Sequence, residues 1–193
     1  MSDTNPRKTQ LRKNLRRRRS ELSPAQQLAA SRALTNSIIK LPTWTNAQCI
    51  ALYLAADGEI DTRPLEELAR SIGKQLFLPI ISDDDLLSFA RWNADDSLLN
   101  NRYNIPEPPA EATRCPVSDL DIIFLPLVGW DLSGGRLGMG GGFYDRTLSG
   151  TSGPVLVGLA HDMQQVEKVP QENWDVALDY IATDAALYRG QGK

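Results

Sequence analysis

A chain of 193 residues, 41% apolar, 23% charged and 7% aromatic, has the size and make-up of a single folded domain over 1–193, which excludes a disordered, collagen-like or coiled-coil protein. No window reaches the roughly 18 uninterrupted apolar residues of a spanning helix, and the opening Met1–Pro6 lacks an apolar signal core, so the expected address is the cytoplasm, with no membrane partner. The net charge of −3 hides an asymmetry: residues 1–20 carry eight basic side chains against Asp3, a local +7 that leaves the rest at −10.

That basic arm reads as a helix over Arg7–Glu21, docked by a thin stripe of Leu11, Leu15 and Leu22 with cations covering the remainder. Ser23-Pro-Ala-Gln26 spells an N-cap, a proline in the first turn and a glutamine three residues after the cap, predicting a second helix from Pro24 to about Lys40. The apolar run Cys49–Ala55 is a strand buried on both faces. A helix then opens at Pro64 behind a Thr62 cap and ends at Gly73. Gln75–Ile80, Asp121–Leu127, Pro154–Ala160 and Ala177–Ala182 continue as strands, with Leu86–Trp92 antiparallel or at an edge and Asn104–Pro109 an ordered loop. The pattern predicts a Rossmann-like α/β fold: an open, mostly parallel sheet flanked by helices, with an N-terminal helical arm (1–22) docked on the body.

Chemistry concentrates after Asp121–Leu127. Ser133–Gly142 holds six glycines and precedes a helix start at Phe143; such a loop lets peptide N–H groups approach phosphate oxygens, and a helix end adds partial positive charge. It matches neither the dinucleotide fingerprint nor the P-loop. Arg136 could clamp phosphate, while Asp145 reads either as a Mg²⁺ ligand or as a first-turn acid. Glu59 lies where an open sheet puts ligand groups, as an acceptor for heterocycle N–H groups or as a solvated loop acid. Asp179, inside an apolar strand, must be paired, metal-bound or exposed. His161, the one histidine, reads as structural and stays outside the site. With Cys49 and Cys115 far apart, neither a zinc site nor a disulfide framework is expected, and a bound metal would be held by oxygen.

Gly135-Arg-Leu-Gly-Met-Gly-Gly-Gly-Phe-Tyr-Asp-Arg146 resembles the signature of the 5-formyltetrahydrofolate cyclo-ligase family, supported in order by Lys8-Thr-Gln-Leu-Arg12, Asp57-Gly-Glu-Ile-Asp-Thr62 and Asn104-Ile-Pro-Glu-Pro108. The resemblance implies ATP- and Mg²⁺-dependent conversion of 5-formyltetrahydrofolate to 5,10-methenyltetrahydrofolate, ADP and phosphate. It puts Lys8, Arg12, Arg136, Leu137, Gly138, Met139, Gly140, Gly141, Gly142, Phe143 and Tyr144 at ATP, with Arg136 and Asp145 as catalytic groups. Leu54, Glu59, Tyr103, Met139, Gly140, Gly141, Gly142 and Phe143 fall at the folate, and Asp145 and Asp179 at Mg²⁺. Met139 stands where some members have arginine, and Phe143 where they have tyrosine. Arg16–Arg19 find no role in the resemblance. An RNA-binding arm on a non-catalytic module is the contrary reading, disfavoured by the acidic remainder. Another enzyme on the same fold would be told apart by needing no ATP. The expected form is a monomer acting on small molecules, without nucleic acid.

Overall fold

The computed structural model describes residues 5–191, and the opening tetrapeptide read above for a signal core lies outside them. Helix α1 (Pro6–Ser20) starts with Asn5 accepting the Arg7 N–H at 3.0 Å and a proline in the first turn. It ends before Leu22, so that leucine does not extend the docking stripe. Helix α2 (Pro24–Ile38) opens on the expected capping box, Ser23 and Gln26 bonding reciprocally.

Strand β1 (Cys49–Ala51) is shorter than its apolar run. Leu52 still donates to Phe77 O at 2.9 Å, but the chain then leaves the sheet, with Tyr53 O accepting the Thr62 hydroxyl at 2.8 Å. Thr62 is thereby spent and does not cap helix α3 (Arg63–Ser71); Asp61 takes the Arg63 N–H instead, at 3.0 Å. Next come β2 (Gln75–Ile81), β3 (Leu87–Arg91), β4 (Leu99–Asn100), β5 (Pro106–Glu107) and β6 (Arg114–Cys115). The stretch read as a loop at Asn104–Pro109 thus contains a strand. Pro106 tolerates it because β5 pairs only with β4, in a two-stranded ribbon with an open edge. The chain closes with β7 (Ile122–Pro126), β8 (Gly129–Trp130), β9 (Arg136–Leu137), α4 (Phe143–Leu148), β10 (Val155–Leu159), β11 (Tyr180–Ala182) and β12 (Leu187–Arg189).

Eight strands form one sheet in the order β12-β11-β10-β7-β1-β2-β3-β6, parallel from β11 through β2 and antiparallel at β12, β3 and β6. The central strands read as continuous apolar runs because both faces are covered. Ile50, Ile122, Phe124 and Val157 pack toward Leu34 and Ile38 of α2 and Leu65 of α3, while Ala51, Ile123, Leu125 and Leu156 pack toward Leu148 of α4 and Trp130. Among the described residues no helix is long and apolar enough to cross a membrane.

α1 docks differently from its expected leucine stripe. Leu15 is buried against Val128, Leu137 and Val169, with Leu11 half-buried beside it, but the other buried residues of the helix are Lys8 and Arg19. Its cations do not all face water. The acidic body receives them through Glu172, Asp175 and Asp57.

Candidate active site

A cavity of about 1460 Å³ opens at the carboxyl ends of the parallel strands, where an open sheet binds ligands, and it exceeds the roughly 300–1,000 Å³ of a single small-molecule pocket. Pro126 at the end of β7, Tyr53 and Leu54 beyond β1, and Pro79 and Ile81 of β2 line it, together with α1 and residues 136–146. Every site residue named from the sequence lines this cavity except Tyr103 and Asp179.

The glycine-rich segment divides into two parts with different work. Its first half is the turn of a ribbon in which β8 pairs β9, organised by Asp131, a buried residue that sequence reasoning missed. One carboxylate oxygen of Asp131 accepts the N–H groups of Ser133 at 2.8 Å and Gly135 at 3.0 Å together with the Ser133 hydroxyl, and the other accepts Val169 N–H at 2.8 Å. Burial alone would push this carboxyl up; the Ser133 hydroxyl and the three N–H groups outweigh it and hold it below the ordinary carboxylate range. Gly135 has to be glycine for space, since a Cβ there would stand 2.5 Å from an Asp131 oxygen.

The second half, Gly138–Gly142, faces the cavity and leads into α4 through Gly142 at φ +68°, a left-handed entry that disfavours a side chain. α4 is only six residues long, so the expected helix-end charge is weak and any phosphate cradle is a matter of loop N–H groups. Arg146 pins this loop, donating to Gly141 O at 2.8 Å and to Asp85 O at 2.9 and 3.2 Å across the β2–β3 turn.

On the α1 wall, Lys8 is buried and donates to Asp175 at 2.9 Å with Glu172 at 3.9 Å, and Arg12 Nε donates to Gly138 O at 2.9 Å. Arg136, its side chain 6% exposed, donates to Val176 O at 3.0 Å and forms an ion pair with Asp145. That same Asp145 oxygen accepts Val176 N–H at 3.0 Å, so the two groups read separately as phosphate clamp and metal ligand are partners of one another. Glu59 stands in the turn after β1 that Arg19 of α1 also holds, partly buried, with one oxygen accepting Ala56 N–H at 3.1 Å. Burial raises its carboxyl above the ordinary value, the Ala56 N–H and the Arg19 guanidinium pulling the other way. The Tyr144 phenol is pushed up by burial and by the Glu59 charge, which keeps it a neutral hydroxyl.

Asp179 does not line the cavity that Asp145 lines. It directly precedes β11, and its carboxylate accepts Leu156 N–H at 2.9 Å, so the acid is paired at the strand's entry. Among the described residues no three His, Cys, Asp or Glu side chains cluster to hold a metal. Tyr103 stands beside the wall, its ring edge-on to Phe143 with centroids 6.1 Å apart, so Phe143 makes an aromatic contact that needs no hydroxyl. His161 is buried off the cavity with Nε2 unpartnered, and desolvation lowers its pKa. Trp174, 61% exposed, and Glu107 also line the cavity. Glu107 ties the β4–β5 ribbon to β2 by accepting Ile81 N–H at 2.8 Å and the Asn101 amide at 2.7 Å. The Asn104-Ile-Pro-Glu-Pro stretch was the signal for Glu107; Trp174 had none.

Residues 4–184 match the 5-formyltetrahydrofolate cyclo-ligase family. The protein of that name from Escherichia coli K12 is 39% identical over 180 residues, 90% of this chain and 98% of the relative. Its namesake from Haemophilus influenzae is 40% identical over 174 residues, 88% and 93% of the two chains. The solved structure of Aquifex aeolicus 5,10-methenyltetrahydrofolate synthetase has the same fold, with a TM-score of 0.82 at 32% identity over 94% of this chain and 92% of that one. A chain with this open α/β sheet and these relatives is an enzyme of the ligase class. It belongs to the 5-formyltetrahydrofolate cyclo-ligase family.

Proposed function

We propose that the chain uses ATP with Mg²⁺ to close 5-formyltetrahydrofolate to 5,10-methenyltetrahydrofolate, releasing ADP and phosphate. One observation carries the reading: a cavity large enough for two substrates, lined together by Lys8, Arg12, Arg136, the glycines 138–142, Leu54 and Glu59. A formamide oxygen is a poor leaving group, and transfer of the γ-phosphoryl group to it makes it a good one. N10 then attacks the formyl carbon, the N10 proton is lost, and phosphate departs as the C–O bond breaks. This chemistry asks for positioning and charge stabilisation more than for a protein nucleophile.

In this reading Lys8, Arg12 and Arg136 bind phosphate oxygens and orient the transferred group, while Glu59 accepts pterin N–H groups. A Mg²⁺ arriving on the phosphates needs one or two carboxylates rather than a protein cage, which fits a wall bearing Asp145 and no three-ligand cluster among the described residues. Asp145 would hold it, and when bound the ion supplies neutralisation of phosphate charge. Asp179 has no part in this reading.

The test is spectroscopic: protein, 5-formyltetrahydrofolate, ATP and Mg²⁺ should generate the absorbance of the methenyl product, and omission of ATP or Mg²⁺ should abolish it. Product formed without ATP would overturn the reading. Lys8→Ala and Arg12→Ala should each raise the KM for ATP about 10- to 150-fold, from the roughly 1.5–3 kcal/mol of a charge-assisted contact, with the folate KM little changed. For Lys8 the upper end is expected, because its removal leaves Asp175 and Glu172 facing the phosphates. An ATP KM unchanged in both variants would remove α1 from the nucleotide site.

A further inference from the structure

We infer that Arg19 is a positioning residue for Glu59, and that through it α1 holds the folate-facing carboxylate and the phosphate-facing cations in one rigid frame. The inference rests on the assignment of Glu59 to folate and of Lys8 and Arg12 to nucleotide made above. Lys8, Arg12, Arg16 and Arg19 recur at intervals of four, four and three, which on a helix stacks them along one face. Together they grip three loops of the cavity: Lys8 holds Asp175, Arg12 holds Gly138 O, and Arg16 and Arg19 both hold Asp57.

Arg19 is the extreme member, its side chain 0% exposed. Its Nε donates to Asp57 O at 2.7 Å, one Nη to the Asp57 carboxylate at 2.7 Å, and the other Nη to Leu127 O at 3.4 Å, just past the end of β7. A guanidinium so buried is costly unless paired, and these partners are the loop bearing Glu59 and the strand end beneath it. That loop is a tight turn, with Glu59 N–H donating to Ala56 O at 2.9 Å and φ +52° at Asp57 and +75° at Gly58, as a type I′ turn requires.

Glu59 is the last residue of this turn, and Asp57, its strained second residue, is held at both its carbonyl and its carboxylate. Gly58 packs on the Arg19 stem, where a Cβ would come within 3.3 Å of Cγ. Arg19 thus fixes the direction of Glu59 through the turn. A lysine, with donors at one point and no planar fork, could not span the same acceptors.

The test is a double-mutant cycle of Arg19→Lys with Glu59→Gln, reading calorimetric Kd values for 5-formyltetrahydrofolate and, separately, for a non-hydrolysable ATP analogue with Mg²⁺. Arg19→Lys is expected to weaken folate binding about tenfold and analogue binding less than twofold. Added to Glu59→Gln it should change folate binding less than twofold, because no carboxylate is left to place. Asp57→Asn, tolerated at a left-handed position, should repeat this pattern, and it replaces Arg19→Lys in the cycle if that variant does not fold. Multiplicative effects in the double variant, or parallel loss of both ligands, would make Arg19 a scaffold residue and overturn the inference. Unchanged folate binding in Glu59→Gln alone would overturn the assignment of Glu59 itself, and the inference with it.

Discussion

Asp131→Ala should cost on the order of 4 kcal/mol of stability, at the severe end for a single substitution, because it strands three backbone N–H groups and a hydroxyl that now share one buried carboxylate. For a chain of this length that corresponds to a fall in Tm of roughly 8–16 °C. Asp131→Asn should lose less, about 1–3 kcal/mol, since its carbonyl can keep the Ser133 and Gly135 donors while its amide meets the Val169 N–H head-on.

The pH dependence of this contribution has a definite sign. The folded carboxyl lies below its unfolded value, so the stabilisation is fully present above the unfolded value near 4 and is lost as pH falls through the folded one. Denaturant titrations of wild type and Asp131→Asn should therefore converge in acid and stand apart at neutral pH. A constant gap between them would show that packing, not ionisation, is what Asp131 contributes. Gly135→Ala should reproduce part of the loss by pushing the carboxylate off its donors.

The contrast between Asp131 and the residues read correctly shows what a single sequence exposes. Strands β7 and β10 were legible because burial on both faces forces uninterrupted apolar runs, as in Ile122–Pro126. The end of β1 was not, since Tyr53 and Leu54 are as apolar as a strand but leave the sheet to line the cavity. Two-residue strands such as β5 and β9 depend on their pairing partners and carry no period of their own. Most of the wall residues were legible because glycine, arginine and acid cluster within a dozen positions after β7. Arg19 was not, because its partnership with Asp57 spans 38 positions and no local pattern encodes such a contact, whereas Asp131 had a local signal in Ser133 and Gly135, two and four residues on, and only its bond to Val169 was out of reach. For Asp179 the sequence left pairing, metal binding and exposure open for the same reason: a partner of its carboxylate, the Leu156 N–H, lies on another strand.

Asp145→Asn should lower turnover at least tenfold, about 1.4 kcal/mol in the barrier, and move the Mg²⁺ concentration for half-maximal activity upward several-fold. Asp145 serves two partners, Arg136 and the Val176 N–H, and Arg136 in turn donates to Val176 O. An asparagine carbonyl can still accept from both, so the geometry survives while the charge is lost. Because Asp145 is 23% exposed, the stability cost should be about 1–2 kcal/mol, short of the 3–5 kcal/mol of breaking a fully buried pair. If the carboxylate served only to hold Arg136, that modest loss and some weakening of ATP binding would be the whole effect, and Mg²⁺ titrations of wild type and variant would superimpose after scaling. A carboxylate that also meets the metal predicts a displaced curve, because a neutral amide is a poorer ligand for a hard cation. Arg136→Lys separates the two roles from the other side: it keeps a cation beside Asp145 but loses the planar fork, so it should raise the KM for ATP and leave the Mg²⁺ midpoint in place. A midpoint shifted equally by both substitutions would mean that Asp145 acts on the nucleotide through Arg136 alone.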